Sequence, residues 1–366
     1  STAVVDGDGG LGLVVAPFAM KVAMEKAKQV GTGWVSVKNS NHYGIAGYHA
    51  MMALEEDMIG ISLTNASPLV APTFSKERLL GTNPIAVAIP AREEPPFVAD
   101  MATTTAANGK LEILQRKGLD TPSGWVQDKS GNPTTSANGV KDGGALLPLG
   151  GDREHGSHKG YALGAVVDIL SAVLSGANYG PWVPPFVAFL NPLPNLVGEG
   201  IGHFFGAMRV DAFRPADEFK NHMDQWIRRF RSAEPTPGHE KVLIPGDPER
   251  ELEIIRKDPG FKRIIKKYFP NSKIMLARDI PSIFNQKNQA VQNNFAQYAT
   301  IIPGGFSSQA AKDAANNVLT AAGPNINQTV ITNAITAGAQ QVGSAAQTAG
   351  ATAGAAAINS SGGVAA

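Results

Sequence analysis

PFAMKVAMEKAKQVGTGWVSVKNSNHYGIAGYHAMMALEEDMIGISL, residues 17–63, decides the fold class. Its first segment, Pro17 to Val30, carries Phe18, Val22, Ala23 and Lys26 at helical spacing, which predicts an amphipathic helix. Trp34 to Lys38 is a short β-rich run ending at Asn39. A second helix is expected from His49 to Asp57, and a buried strand from Ile59 to Leu63. Working outward, Pro84 to Pro90 reads as another strand, bracketed by prolines where a ladder can stop, and Phe97 to Asp100 follows. Strands alternating with helices predict an α/β core, with spacing too irregular for a simple doubly wound sheet.

The chain has 366 residues, 43% of them hydrophobic and 17% charged, with a formal net charge of +1. At roughly 150 residues per domain this suggests about two domains. Near-zero charge argues against a nucleic-acid partner or a polybasic membrane binder. Zero cysteines exclude a disulfide scaffold, a thiolate metal site and a cysteine nucleophile. The first ten residues show neither a basic region nor an apolar run of the secretory type. The most apolar helical stretch, Tyr161 to Leu174, carries Asp168 and is too short to span a bilayer. The expectation is a soluble, cytoplasmic protein.

Composition divides the chain into zones. The α/β pattern runs to about Gly200. Charge density then rises, with an exposed-edge strand expected over His203–Asp211. A surface helix follows over Pro215–Ser232, docked by Phe219, His222, Met223, Trp226 and Phe230 with its arginines solvated. After Asp313 no charged residue occurs, and 341–366 is almost entirely Ala, Gly, Ser, Thr, Gln and Asn. Such sequence buries too little apolar surface to offset its conformational entropy, so 261–366 is expected to be disordered or weakly helical.

Seven histidines stand at 42, 49, 155, 158, 203, 222 and 239. None forms an HExxH pair or a cluster with ligand spacing, so no metal is expected. A GxSxG elbow and a P-loop are both absent. Gly7-Asp-Gly-Gly-Leu-Gly12 lacks a preceding strand signal and the dinucleotide spacing, so it does not support a Rossmann fingerprint. Asn39-Ser-Asn-His42-Tyr-Gly44 joins a predicted strand to a predicted helix, a place where α/β enzymes keep reactive groups. There His42 suits proton transfer near neutral pH, or it is a structural residue of a capping turn. Loops at Thr64–Pro68, Leu80–Pro84 and Asp100–Thr105 are either donors to ribose and phosphate or ordinary turns. Gly156-Ser-His158-Lys159 opens the long apolar helix, and its dipole end favours an anion such as a cofactor phosphate, unless Lys159 is merely solvated.

Several segments occur together and in order: NSNHYG (39–44), TNASPLVAPT (64–73), ERLLGTNPIAVAIPA (77–91), FVADMATT (97–104), GWVQDKSGNPTT (124–135), GALLPLGG (144–151) and HKGYALGAVVDILSAVLSGA (158–177). GHFFGAMRVDAF (202–213) and IPGDPE (244–249) extend the series. Together they resemble the malate/L-lactate dehydrogenase family of NAD(P)-dependent oxidoreductases, over about Asp6 to Pro259. The resemblance implies a mixed sheet with flanking helices, distinct from the Rossmann fold, in a catalytic region 1–260 whose cofactor part spans about 60–200. It implies a homodimer and hydride transfer on small 2-hydroxy acids, malate first, with NAD as cofactor and NADP left open. His42 would be the general acid/base. Ser67 and the loop Asp100, Met101, Ala102 and Thr103 would line the cofactor, with His158 and Lys159 at its phosphates and Gly246 and Asp247 closing over it. Asn41, His203 and Arg209 would be near the substrate.

Two departures stand beside this. The family carries a segment of roughly seventy residues before the position of Asp6, with an arginine that holds the substrate carboxylate; the sequence here reads as truncated, and weak activity is the expectation. The chain after about Lys262 also departs from the family. Lactate, ureidoglycolate and sulfolactate specificities remain open, as does a non-catalytic assembly protein that keeps the dehydrogenase core.

Overall fold

In the computed structural model, β1 (Thr2–Gly10) leads through a glycine-rich corner into α1 (Gly12–Val30), which crosses over to β2 (Thr32–Ser40), parallel to β1. A strand therefore does precede the glycine run, which the sequence did not suggest. The structure describes residues 1–187 and 189–257, with Asn317 and Asn333 as isolated helical positions. The expected tail over 261–366 lies outside the described residues, those two positions aside. All strands and all the helices named below belong to the first of the chain's two units, Ser1–Arg278 and Asp279–Ala366.

After β2 come α2 (Ala46–Met51) with a 3₁₀ turn, Met52–Glu56, then β3 (Met58–Thr64), β4 (Ile85–Ile89) and β5 (Phe97–Met101). A later strand, β9 (Ile201–Arg209), completes the main sheet in the order β1-β2-β9-β3-β4-β5, antiparallel except for β1 with β2. Between β5 and β9 lie α3 (Asn108–Lys117) and a small sheet of β6 (Val126–Gln127), β7 (Pro133–Thr134) and β8 (Ala145–Leu146). Next come α4 (Ser157–Asp168) and a π-helical turn, Ile169–Val173. The described chain closes with α5 (Ala216–Arg231) and α6 (Asp247–Lys257).

The main core is built from small residues. Ala16, Ala19, Met20, Ala23 and Ala27 of α1 are fully buried against Val35, Val37, Phe205 and Ala207. Phe18, expected on the buried face, is 59% exposed. The alanine stripe wins because it lets the helix approach the sheet closely: a Cβ on Gly33 would lie 2.0 Å from the Ala23 carbonyl oxygen. A second core under the small sheet gathers Leu69, Val70, Leu111, Val126 and Leu146.

Two expectations are corrected. The run from His203 is no exposed edge: β9 pairs on both sides, with β2 and with β3, and buries His203, Phe205 and Ala207 on one face while Phe204 stacks on Trp34 from the other. In α5 the buried side chains are Asp224 and Ile227, whereas Trp226 and Phe230 stack on each other at 4.1 Å and stay partly exposed. Its arginines are not simply solvated, for Arg228 and Arg231 pair with Glu93 and Glu94.

Candidate active site

His42 lies in the loop between β2 and α2. The glycine run beneath it is what lets the loop sit there. A Cβ on Gly12 would come within 2.1 Å of the Asn41 carbonyl oxygen, and one on Gly7 within 2.7 Å of that of Asn39. Asn41 ties the loop down, its amide donating to the Gly9 and Gly10 carbonyls at 2.8 and 3.1 Å. Its side-chain nitrogen is thus committed to the scaffold. The Gly44 N–H donates to His42 Nδ1 at 3.1 Å, which puts the proton of the neutral ring on Nε2. Phe186 meets the imidazole in a T-shaped contact, centroids 4.8 Å apart and planes at 82°. Part of the ring is open to solvent, yet surrounding mass desolvates it and lowers its pKa below 6.5.

Behind His42 is a buried aromatic stack. Tyr43 lies 4.7 Å from His203 at 10° and 4.7 Å from His49 at 35°. His203 is fully buried, Nδ1 against Thr64 Oγ1 at 2.7 Å and Nε2 against Ser40 Oγ at 2.8 Å. Burial first, then the neighbouring imidazoles His49 and His42, push its pKa down to about 3. With both nitrogens engaged it backs the loop from inside, and the substrate contact expected of it has no free atom to make it. His49 Nε2 donates to the Tyr43 carbonyl at 2.8 Å, and burial lowers its pKa to about 4.

The other loops converge from their own strands. Ser67 is buried, and its Oγ accepts the Phe186 N–H at 2.9 Å. Asp100, at the end of β5, accepts the Gly47 N–H of α2 at 2.7 Å; burial raises its pKa and the charge of Glu249 adds to the rise. Met101 is 45% exposed at the strand end and Ala102 is half-buried. Thr103 is buried, and its hydroxyl donates to the Thr82 and Asn83 carbonyls at 3.2 and 3.0 Å. Its carbonyl accepts the Leu149 N–H at 3.0 Å, which brings this loop to the start of α4.

There Arg153 lies 2.8 Å from His158 Nδ1, and Lys159 is exposed on the first turn. Three nitrogen donors at a helix start are the chemistry a phosphate group needs, so the residues present fit the phosphate of a bound cofactor. Gly246 has φ +98, and the α6 turn it opens is tied to β5 through the Pro245 carbonyl and the Val98 N–H. The Asp247 carboxylate is already occupied: Oδ2 accepts the Ile244 N–H, and Oδ1 takes Arg250 at 2.7 Å and Arg231 at 3.2 Å. Arg209 is not brought to this place. It ends β9 six residues beyond His203, about 20 Å along the strand, paired with Asp211 at 2.6 Å. Among the described residues no group of His, Cys, Asp and Glu could hold a metal ion.

The sequence reading gave Phe186, Tyr43, Asn65 and Asp168 no individual role, although Asn65 lies in the candidate loop Thr64–Pro68. Tyr43 sits inside the quoted NSNHYG segment; Phe186 carries no local signal, since its relation to Ser67 spans 119 positions.

The chain matches the family described as malate/L-lactate dehydrogenase over residues 1–263. It is 49% identical over 248 residues to a malate dehydrogenase of Pyrococcus horikoshii, covering 68% of this chain and 66% of that protein. This chain belongs to the malate/L-lactate dehydrogenase family. Within it, the L-sulfolactate dehydrogenase of Methanocaldococcus jannaschii is 41% identical over 262 residues, 72% of this chain and 71% of that one. Among solved structures of the family, malate dehydrogenase from Entamoeba histolytica matches with a TM-score of 0.65 at 36% identity, covering 75% of this chain and 79% of that chain. The match to Pyrococcus horikoshii malate dehydrogenase has a TM-score of 0.61 at 44% identity, over 72% and 69% of the two chains. The mixed sheet and the family agree with the sequence resemblance. The matched stretch is just under two thirds of the length of the Pyrococcus malate dehydrogenases.

Proposed function

We propose that this chain is an oxidoreductase that moves a hydride between NAD and a small 2-hydroxy acid of the malate class, with NADP, lactate, sulfolactate and ureidoglycolate as the sibling choices. The observation that carries the reading is His42, on the loop between β2 and α2, with Phe186 against its ring held in turn by Ser67, and with Asp100 of β5 tied to Gly47 of α2. A bound nicotinamide would supply the hydride acceptor or donor.

What the chain itself supplies is proton handling and orientation. In the arrangement held by Gly44, neutral His42 presents Nε2–H as a hydrogen-bond donor to the carbonyl oxygen of a 2-oxo acid; delivering a proton to that oxygen as hydride arrives requires the imidazolium, with Nδ1 also protonated and the Gly44 N–H released. Taking the proton of a 2-hydroxyl at Nε2 requires the other tautomer, and with it release of the Gly44 N–H from Nδ1. The lowered pKa keeps the ring in its neutral, proton-accepting form at pH 7. Lys159, Arg153 and His158 would hold phosphate, and Asp100 with the Thr103 loop would line the nucleotide. The pairing of two copies fits the exposed apolar side of α4 and the turn after it, where Leu163, Val166, Ile169 and Val173 are 38 to 53% exposed.

Titrating the protein into NADH and following nicotinamide fluorescence tests the cofactor; unchanged emission at millimolar cofactor would favour an assembly protein. Replacing His42 by Ala should lower turnover of malate with NAD by about 10²–10⁴ while cofactor affinity stays.

A further inference from the structure

We propose that Phe186 is a positioning residue for His42, carried on a strap, residues 178–186, that the loop after β3 clasps at both ends. The proposal rests on the reading of His42 as the proton-transfer group.

The clasp uses two residues of one loop. At the near end, Asn65 donates to the Asn178 carbonyl at 2.8 Å and to Asp168 Oδ1 at 3.2 Å, while the other Asp168 oxygen accepts the Gly180 N–H at 2.8 Å. At the far end, buried Ser67 accepts the Phe186 N–H. Asn65 and Ser67 bracket Ala66, so the two anchors share one short rigid piece of backbone, itself held by Asn83 through the Ala66 N–H at 3.2 Å. Asn65, Ser67 and Asp168 are all buried at the clasp. What this arrangement delivers is the Phe186 ring, 44% exposed yet set against the imidazole at 4.8 Å.

A ring fixed there does two things. It limits the rotation of an imidazole whose hydrogen bond among the described residues is the one from Gly44, and it removes water from one side of it. Limited rotation keeps Nε2 aimed at a reacting oxygen, which is worth far more in turnover than in binding. Dehydration favours the uncharged ring, in the direction seen for His42. The titratable group facing His42 from the packed elements is His203 of β9, itself held neutral by burial.

The experiment labels histidine at the carbon between the ring nitrogens and follows the seven signals by NMR against pH without substrate or cofactor, His42→Ala identifying the signal. Phe186→Ala should raise the His42 midpoint toward 6.5, and Ser67→Ala should move it the same way. Phe186→Leu keeps apolar bulk and guards against a misfolded alanine variant. It should cut kcat about threefold to tenfold with KM for NAD unchanged, while Phe186→Ala, which removes the bulk, should also move the acid limb of malate oxidation to higher pH. A folded Phe186→Ala protein whose His42 midpoint and pH profile match the parent overturns the proposal while leaving the dehydrogenase reading intact. Full turnover in His42→Ala overturns both.

Discussion

Phe74 shows how much one residue can cost. It sits in the turn Pro72–Ser75 with φ +69 and 88% of its surface exposed. A left-handed conformation costs an L-residue about 1–2 kcal/mol, and exposure leaves the ring almost no packing to offset it. Glycine removes that strain but adds about 0.5–1 kcal/mol of unfolded-state entropy. Phe74→Gly should therefore stabilise the protein by roughly 0.5 kcal/mol, read as a higher urea midpoint at constant slope; a lower midpoint would mean the ring has a contact that exposure conceals. At this same scale the placement of His42 on a loop between a strand and a helix was legible, because a histidine among polar residues after a β-rich run is a local pattern. Ser67 was read only as a residue lining a cofactor. That its hydroxyl accepts the Phe186 N–H could not be read, since the bond joins distant positions.

Elements are held together here by close backbone approach and by buried carboxylates. Gly33→Ala forces a methyl to 2.0 Å from the Ala23 carbonyl oxygen, so α1 must lift from β2. The expected loss is about 3 kcal/mol, measured by chemical unfolding. Asp224 of α5 works differently, accepting the N–H groups of Arg92, Glu93 and Glu94 at 3.0, 2.9 and 3.1 Å. Asp224→Asn should cost about 2 kcal/mol by thermal melting, since two carboxylate oxygens are replaced by one acceptor and an amide that repels a donor. The strands and helices of residues 17–101 followed from apolar periodicity and proline brackets. The helix faces followed only in part: Ala23 was on the expected face, but alanine scores weakly as apolar, so the pattern favours Phe18 or Trp226, while the packed faces also use Ala16, Ala19, Asp224 and Ile227.

Across the molecule, the buried imidazoles make stability depend on pH. Unfolded, His49 and His203 take protons below about pH 6.5; folded, they wait until about 4 and about 3. The unfolded state binds more protons in that window, so stability is full above it and falls with pH by up to about 1.4 kcal/mol per unit for each imidazole. The raised Asp168 carboxyl opposes this only once carboxylates begin to titrate. Urea midpoints should be level above about pH 7 and drop toward pH 5, with a gentler slope in His49→Gln; equal slopes would show that His49 is protonated in the fold. The place of β9 has another effect. β2 and β3 are synthesised early, yet the strand that joins them arrives more than a hundred residues later. Until residues 201–209 leave the ribosome, two apolar strands have open flanks and no mutual bond, a hazard for sticking to other nascent chains. Biogenesis should therefore depend on chaperones that shield this half-built sheet, and a translational pause just before Ile201 would lower the yield of native protein more than one placed after Arg209.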